Sequence, residues 1–391
     1  MPTGGTDIAT EIADIRARAA SDRRVFADAD VKAACARRWR SLFLDEAVED
    51  PVALAQASRR GDDRSARRRI AEYFLIDADR EAWKDEQHPA STPSIRHTTL
   101  VACPGLLNGL LPMMRLFREE LPRVERRFSM RVVRSDSHPV RGCEANAADV
   151  LAAVRDGKGR DAAWRVIPDV SARPPENVLL LGYSKGAPDI LTTLVRHPEI
   201  ASRVRAIFTM AGAIGGSEVA DKIAAGCRRS SLQQGTLDRA RSLRDWLPRG
   251  MTLGRQLRDF DTEGAVRDLT TEAREAFLAE HRARIDALNI PMFYVRGATR
   301  LSEVPWSQRG GFRLLSGFDP LNDMQVTARR AVLPFPMAVD LGMLRAHHWD
   351  LAYPSFIKGR WLGWNNTYHP FPKDALLAAT IGLMGELGLI D

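Results

Sequence analysis

The sequence predicts an α/β protein: a mostly parallel sheet with helices on both faces, a helical cap insert and a helical N-terminal extension. Three observations carry that expectation. From about residue 96 short apolar runs alternate with helix-like stretches, the pattern of parallel strands covered by crossover helices. The fourth and fifth of those strands are separated by about 75 residues, far more than one crossover helix needs. Before residue 96 the apolar periodicity is helical throughout.

The elements follow in order. Ile8, Ile12 and Ile15 share one helical face, and Trp39, Leu42 and Phe43 continue in the same style. QHPASTPS at 87–94 breaks the pattern with proline and serine and marks the end of a first region, residues 1–95. HTTLVAC (97–103) is the first strand expected beyond it and stops at Pro104-Gly105. SMRVVRSD (129–136) is the second, followed by the helix-like EANAADVLAAVRD (144–156). ENVLLLGYS (176–184) is the third, with a helix from Lys185 that ends before Pro198. RVRAIFTMAGA (203–213), IPMFYVRG (290–297) and a strand within VLPFPMAVDLGML (332–344) complete the set. The insert, about 215–288, is charged and helical. Leu253, Leu257 and Phe260 share a face there, as do Phe277, Ile285 and Leu288, and with Trp246 the former group forms an apolar surface suited to a lid. A helical excursion packed on the core fits that pattern equally.

Composition excludes several classes. The chain is 391 residues long, with 45% hydrophobic and 27% charged residues, as in a soluble globular protein. Its net charge is +7, but residues 1–95, which hold the tempting cluster RRGDDRSARRRI, carry slightly more acidic than basic side chains. That cluster reads as a solvated helix face, and no zinc-finger, helix-turn-helix or RNA-binding signature accompanies the charge, so no nucleic-acid partner is expected. No apolar stretch reaches the length of a membrane span, and the N-terminus has no signal-peptide core. Cys35, Cys103, Cys143 and Cys227 stand far apart without metal-ligand spacing and read as reduced thiols, which points to a cytoplasmic setting. No Gly-rich nucleotide loop follows a strand and no clustered ligands appear, so neither a cofactor nor a metal is expected.

The chemistry centres on GYSKG at 182–186. Gly-x-Ser-x-Gly alone is a weak signal, but here it follows a buried strand and opens a helix. Such a turn exposes its serine in a strained conformation, so the neighbours must be small, as Gly182, Gly186 and Ala187 are. The helix from Lys185 directs its N-terminal N–H groups toward a developing negative charge. Ser184 is therefore the candidate nucleophile. A serine hydroxyl needs a base, and the base needs an orienting carboxylate. Beyond the fifth strand the histidines are His347, His348 and His369, and the acids between that strand and the first histidine are Glu303, Asp319, Asp323 and Asp340.

The order PGLLNG (104–109), GYSKG (182–186), FDPLNDMQV (318–326) and LRAHHWDLA (344–352) resembles α/β-hydrolases of the serine esterase and lipase type, over about residues 97–388. In bacterial members the acid often sits in an N-D-G-x-V turn and the histidine in a D-H-W stretch. The resemblance thus implies Asp323 as the acid and His348 as the base. Two departures stand out: Met324 occupies the glycine position, and His347 replaces the aspartate before the histidine, so His347 and Asp319 remain alternatives. The resemblance also implies an oxyanion hole from the backbone N–H of Lys185 and one N–H of the PGLLNG loop, from Leu106 or Leu107. The Lys185 side chain is expected either to add charge near the site or to face solvent. The implied reaction is cleavage of a carboxylic ester, of a small-molecule or lipid-like substrate, through an acyl-enzyme. A thioesterase, acyltransferase or amidase could use the same residues, and a hydrolase scaffold could also bind a ligand without consuming it.

Overall fold

The computed structural model of the chain describes residues 7–58, 61–76, 94–109, 114–233, 261–354 and 369–391. Among the described residues seven strands form one sheet: β1 (Leu75–Ile76), β2 (Thr98–Cys103), β3 (Val132–Arg134), β4 (Asn177–Tyr183), β5 (Val204–Met210), β6 (Met292–Ala298) and β7 (Ala338–Arg345). Their order is β1-β7-β6-β5-β4-β2-β3, and every pair is parallel except β1 with β7. The sequence-predicted strands are all present, most of them trimmed by a few residues, while β6 and β7 each run one residue further, to Ala298 and Arg345. Only β1, the antiparallel edge strand, has no counterpart among them.

The parallel strands read as continuous apolar runs because both faces are covered. Alternate side chains of a strand point to opposite faces. Leu100, Ala102, Leu179 and Leu181 thus enter one core, and Val101, Cys103, Val178 and Leu180 the other. The second core is closed by α6 (Cys143–Asp156), α7 (Gly186–Arg196) and α10 (Thr271–Ala287), through Val150, Leu191 and Ile285.

The first core is closed by α5 (Glu120–Phe128) and α12 (Lys373–Glu386), and also by the N-terminal region. That region folds as α1 (Ile8–Ser21), α2 (Ala29–Val48), α3 (Pro51–Ala57) and α4 (Ala66–Phe74). Each start has its cap. The Asp28 carboxylate accepts from Asp30 N and Val31 N, and Asp50 accepts from Val52 N and Ala53 N ahead of Pro51 in the first turn. Ile12, Ile15, Trp39, Leu42, Phe43 and Phe74 are buried against the sheet's own residues. The helical N-terminal region is therefore one face of the sheet's covering layer.

The insert holds α8 (Glu218–Gln233), α9 (Thr262–Arg267) and α10. Its last helix is part of the sheet's covering layer rather than a cap: Ile285 is buried in the second core, with Phe277 and Leu288 packed on it. Trp246, Leu253, Leu257 and Phe260 lie outside the described residues. The last helices are α11 (Arg309–Ser316), between β6 and β7, and α12. No described helix is long and apolar enough to cross a membrane.

Candidate active site

The loops that leave β2, β4, β5, β6 and β7 all open at the carboxyl edge of the sheet, where sites of open α/β sheets lie. Ser184 follows β4 directly. Its φ of +54° puts it in the left-handed region, at a cost of roughly 1–2 kcal/mol for a residue with a Cβ. The surroundings hold it there. Ser184 N donates to Met210 O at 3.1 Å, and Ser184 O accepts from Ala187 N and Ala213 N, both at 3.2 Å.

The glycines around it answer to space. A Cβ on Gly186 would stand 2.1 Å from the carbonyl oxygen of Cys103, and one on Gly182 would stand 2.9 Å from the Ala187 Cα. On Gly105 it would meet the Ser184 Cβ at 2.9 Å, so the loop after β2 passes directly against the serine. In that loop Leu107 N–H is taken by Pro139 O at 2.9 Å. Among the described residues, neither Leu106 N–H nor Lys185 N–H has an acceptor.

Three residues from three loops meet at the serine. His348 Nε2 lies 2.8 Å from Ser184 Oγ, and His348 Nδ1 lies 2.6 Å from Asp323 Oδ2. Asp323 and His348 are almost wholly buried, and Ser184 keeps 8% of its surface exposed. The carboxylate of Asp323 is fully engaged: Oδ1 accepts from Gln325 N at 2.9 Å and from Val326 N at 2.7 Å. Its backbone carbonyl accepts from His348 N at 2.8 Å, a second tie between the two loops. Met324, at the glycine position of the turn, adopts φ +77° with its side chain fully buried, so the turn forms without glycine.

The alternative residues are placed elsewhere. His347 turns away from the serine: its Nδ1 accepts from Asp350 N at 3.1 Å and its Nε2 lies 3.0 Å from Asp350 Oδ1. Burial lowers its pKa despite the charge of Asp350, which favours the neutral ring. Asp319 caps its own turn through Leu321 N and Arg329 N. Asp340 pairs with Arg296 at 2.7 Å within the sheet, and Glu303 binds Arg345. His369 contacts Asp350, with Nδ1 2.8 Å from Oδ2.

The Lys185 side chain corrects both expectations for it. It neither faces solvent nor adds charge beside the serine, but is 1% exposed, with Nζ donating to Asp189 Oδ1 at 2.6 Å one turn along α7. Asn146 Nδ2 donates to the other oxygen, Oδ2, at 3.0 Å and fastens α6 to the pair. Burial opposes the lysine charge, yet Asp189 outweighs it and the pKa is raised.

Tyr183 is the residue that sequence reasoning missed. Its hydroxyl donates to His348 O at 2.8 Å, linking the serine turn to the histidine loop, and its ring lies 5.0 Å from the imidazole. Nothing in the periodicity signals this, because every residue of β4 from Val178 onward is buried. The thiols of Cys35, Cys103 and Cys143 are free and buried, and burial pushes those of Cys35 and Cys103 up to about 12. Among the described residues no group of three His, Cys, Asp or Glu side chains is placed to hold a metal ion.

No protein-family model matches the chain, and no curated protein matches it either. Solved structures do. A metagenomic carboxyl esterase superposes with a TM-score of 0.65 at 24% identity, over 89% of this chain and 91% of that one. The mature form of a Bacillus licheniformis lipase gives 0.45 at 19% identity, over 67% and 89% of the two chains. A Staphylococcus hyicus lipase gives 0.44 at 11% identity, over 77% and 98%. The sheet order, the turn at Ser184 and the first of these likenesses lead to one conclusion: the chain has the α/β-hydrolase fold.

Proposed function

We propose that the protein is a serine hydrolase that cleaves carboxylic esters through an acyl-enzyme. The observation that carries this reading is the relay at the apex of the turn, Ser184 Oγ to His348 Nε2 at 2.8 Å and His348 Nδ1 to Asp323 Oδ2 at 2.6 Å. Both distances are within hydrogen-bond reach, as proton transfer requires. Asp323 accepts the Nδ1 proton, which leaves Nε2 as the acceptor toward the serine. As Ser184 Oγ attacks the ester carbonyl, its proton passes to Nε2. The imidazolium that forms is stabilised by Asp323, which stays ionised.

The negative oxygen of the tetrahedral intermediate would sit between the backbone N–H groups of Lys185 and Leu106. Both are free of other acceptors among the described residues, and Gly105 brings the Leu106 loop against the serine. Leu107 is the weaker choice, since Pro139 already occupies its N–H. Collapse of the intermediate breaks the bond to the alcohol, which leaves with the proton from Nε2. Water then gives a proton to the same nitrogen as it attacks the acyl carbon, and the bond to Ser184 Oγ breaks as Oγ takes that proton back, which frees the acid. A small-molecule or lipid-like ester is the substrate class proposed. The carboxyl esterase likeness in fold supports that choice.

The test is labelling of the wild-type chain by a fluorophosphonate, with the adduct mapped by mass spectrometry. We expect the label on Ser184, absent from both Ser184→Ala and His348→Ala. Ester turnover should fall on the order of a million-fold in Ser184→Ala and about ten-thousand-fold in Asp323→Asn, with folding intact. A folded wild type that takes no label would instead favour a ligand-binding protein on the same scaffold.

A further inference from the structure

Two residues after Tyr73 the chain enters β7's edge. Leu75 lies opposite Leu344 and Ile76 opposite Met343, and β7 then ends at Arg345, three residues before His348. The side chains continue that join. The Arg345 guanidinium sits over the Tyr73 ring, 4.3 Å from its centroid, while its Nε donates to Glu303 Oε1 at 2.9 Å. Tyr73 stacks on His369 at 5.9 Å with 25° between the rings. His369 Nδ1 lies 2.8 Å from Asp350 Oδ2, and the same oxygen accepts from His347 N at 3.2 Å. The series runs unbroken from the N-terminal helices to the residue beside the candidate base.

Resting on the reading of His348 as that base, we propose that the N-terminal segment is a positioning element for it, acting through Tyr73, His369 and Asp350. The His348 loop carries no regular secondary structure from Ala346 to the end of its described part, and a loop keeps a side chain in place only where it is tied to a rigid element. Here the ties are buried: Asp350 and His369 are nearly inaccessible. Arg345 and His369 face Glu303 and Asp350, so the array balances its charge internally. Burial alone would lower the His369 pKa, but the hydrogen bond and charge of Asp350, with Glu303 behind it, hold it raised. Gln56 Nε2 donates to the Tyr73 hydroxyl at 2.8 Å, and Phe74 meets Phe371 edge-on at 5.7 Å. The first contact ties Tyr73 to its own segment, and the second, with the pairing of β1 on β7, fixes the backbone that carries the ring.

The test compares the full-length wild type with Tyr73→Leu, which removes the stacking, and Tyr73→Phe, which retains it. The readouts are p-nitrophenyl butyrate turnover, thermal midpoint and the downfield proton resonance of the His348 Nδ1–H held against Asp323. We expect Tyr73→Leu to lose about tenfold to a hundredfold in kcat, as displaced catalytic groups do, with KM held to within about twofold. The resonance should broaden in step, and Tyr73→Phe should restore both. A folded Tyr73→Leu with wild-type kcat and resonance overturns the proposal. Should that variant not fold, Asp350→Asn, of the same shape, is read in the same way. Failure of both to fold would make the array structural, and the proposal would fall. A wild type that takes no fluorophosphonate label refutes the reading of Ser184, while the resonance still decides the positioning of His348.

Discussion

Met324 sits beside the candidate acid in the left-handed region, where a glycine would be easier, yet it is fully buried. Two terms compete there. Relief of the backbone on substitution by glycine is worth roughly 1–2 kcal/mol, whereas truncating a buried methionine costs roughly 2–5 kcal/mol. Packing wins, so Met324→Gly should destabilise the protein by about 1–3 kcal/mol in urea unfolding; a gain in stability would show the turn to be the dominant strain. At Gly186 no such compromise exists. A methyl group would stand 2.1 Å from a backbone oxygen of the neighbouring strand, so Gly186→Ala should give a chain that misplaces Ser184 or fails to fold. Retention of full fluorophosphonate reactivity in that variant would contradict the close approach of the two backbones. These two residues also mark how far the sequence could be read. Gly186 was legible because a strand-to-helix turn dictates small residues locally. Met324 looked like a departure that threatened the turn, since the burial that compensates it is not written in the local sequence. The Lys185 side chain was misread for the same reason: its partner, Asp189, is local, but its burial against α6 is tertiary.

Among elements, the strands were legible and their edge was not. Each parallel strand is buried on both faces and announces itself as an apolar run, but Leu75 and Ile76 are two residues at the end of a helix, with no period to detect. Their pairing with β7 depends on residues some 270 positions away. The loop after β7 was legible only in part. The H-W pair pointed to His348, while the partner of His347, Asp350, went unseen because its carboxylate is aimed by a loop and not by a helix or strand. That loop makes a pH-dependent contribution to stability. His369 has a raised pKa in the fold, so its pairing with Asp350 stabilises fully below the unfolded value near 6.5 and is lost as pH rises through the higher folded value. Asp350→Asn removes the partner. The difference in unfolding free energy between the wild type and Asp350→Asn should therefore be largest near about pH 5 and narrow toward pH 8. A difference that stays level across that range would mean that His369 is neutral beside Asp350.

At the scale of the molecule, the N-terminal helices complete the cover of one face of the sheet, beside α5 and α12. Their helical character was plain in the sequence, but the resemblance to hydrolases begins at about residue 97 and left them outside. Periodicity shows that a helix has an apolar face, not what the face meets. The structure supplies the partner: Trp39 is fully buried, stacks on Phe43 with centroids 5.5 Å apart, and donates from Nε1 to Thr380 Oγ1 at 3.1 Å. Beside it Arg38 grips Glu386 through two nitrogens at 2.7 and 2.5 Å, so both ends of the chain close over one core. Ile12, Ile15, Phe26, Trp39, Leu42, Phe43 and Phe74 each gain roughly 1.5–3 kcal/mol on burial. Together that rivals or exceeds the net stability of about 5–15 kcal/mol typical of a folded protein. Removing residues 1–93 would also uncover Leu341, Leu344 and Ile381, which share the same core. The truncated chain should therefore fail to form a soluble monomer, and Trp39→Ala in the full chain should cost about 3–5 kcal/mol. Equilibrium urea unfolding of the intact protein, followed by tryptophan fluorescence and by circular dichroism, should give one coincident transition. A truncated chain that stays monomeric in gel filtration and unfolds cooperatively would show that the hydrolase sheet closes its own core and that the helices are an addition to it.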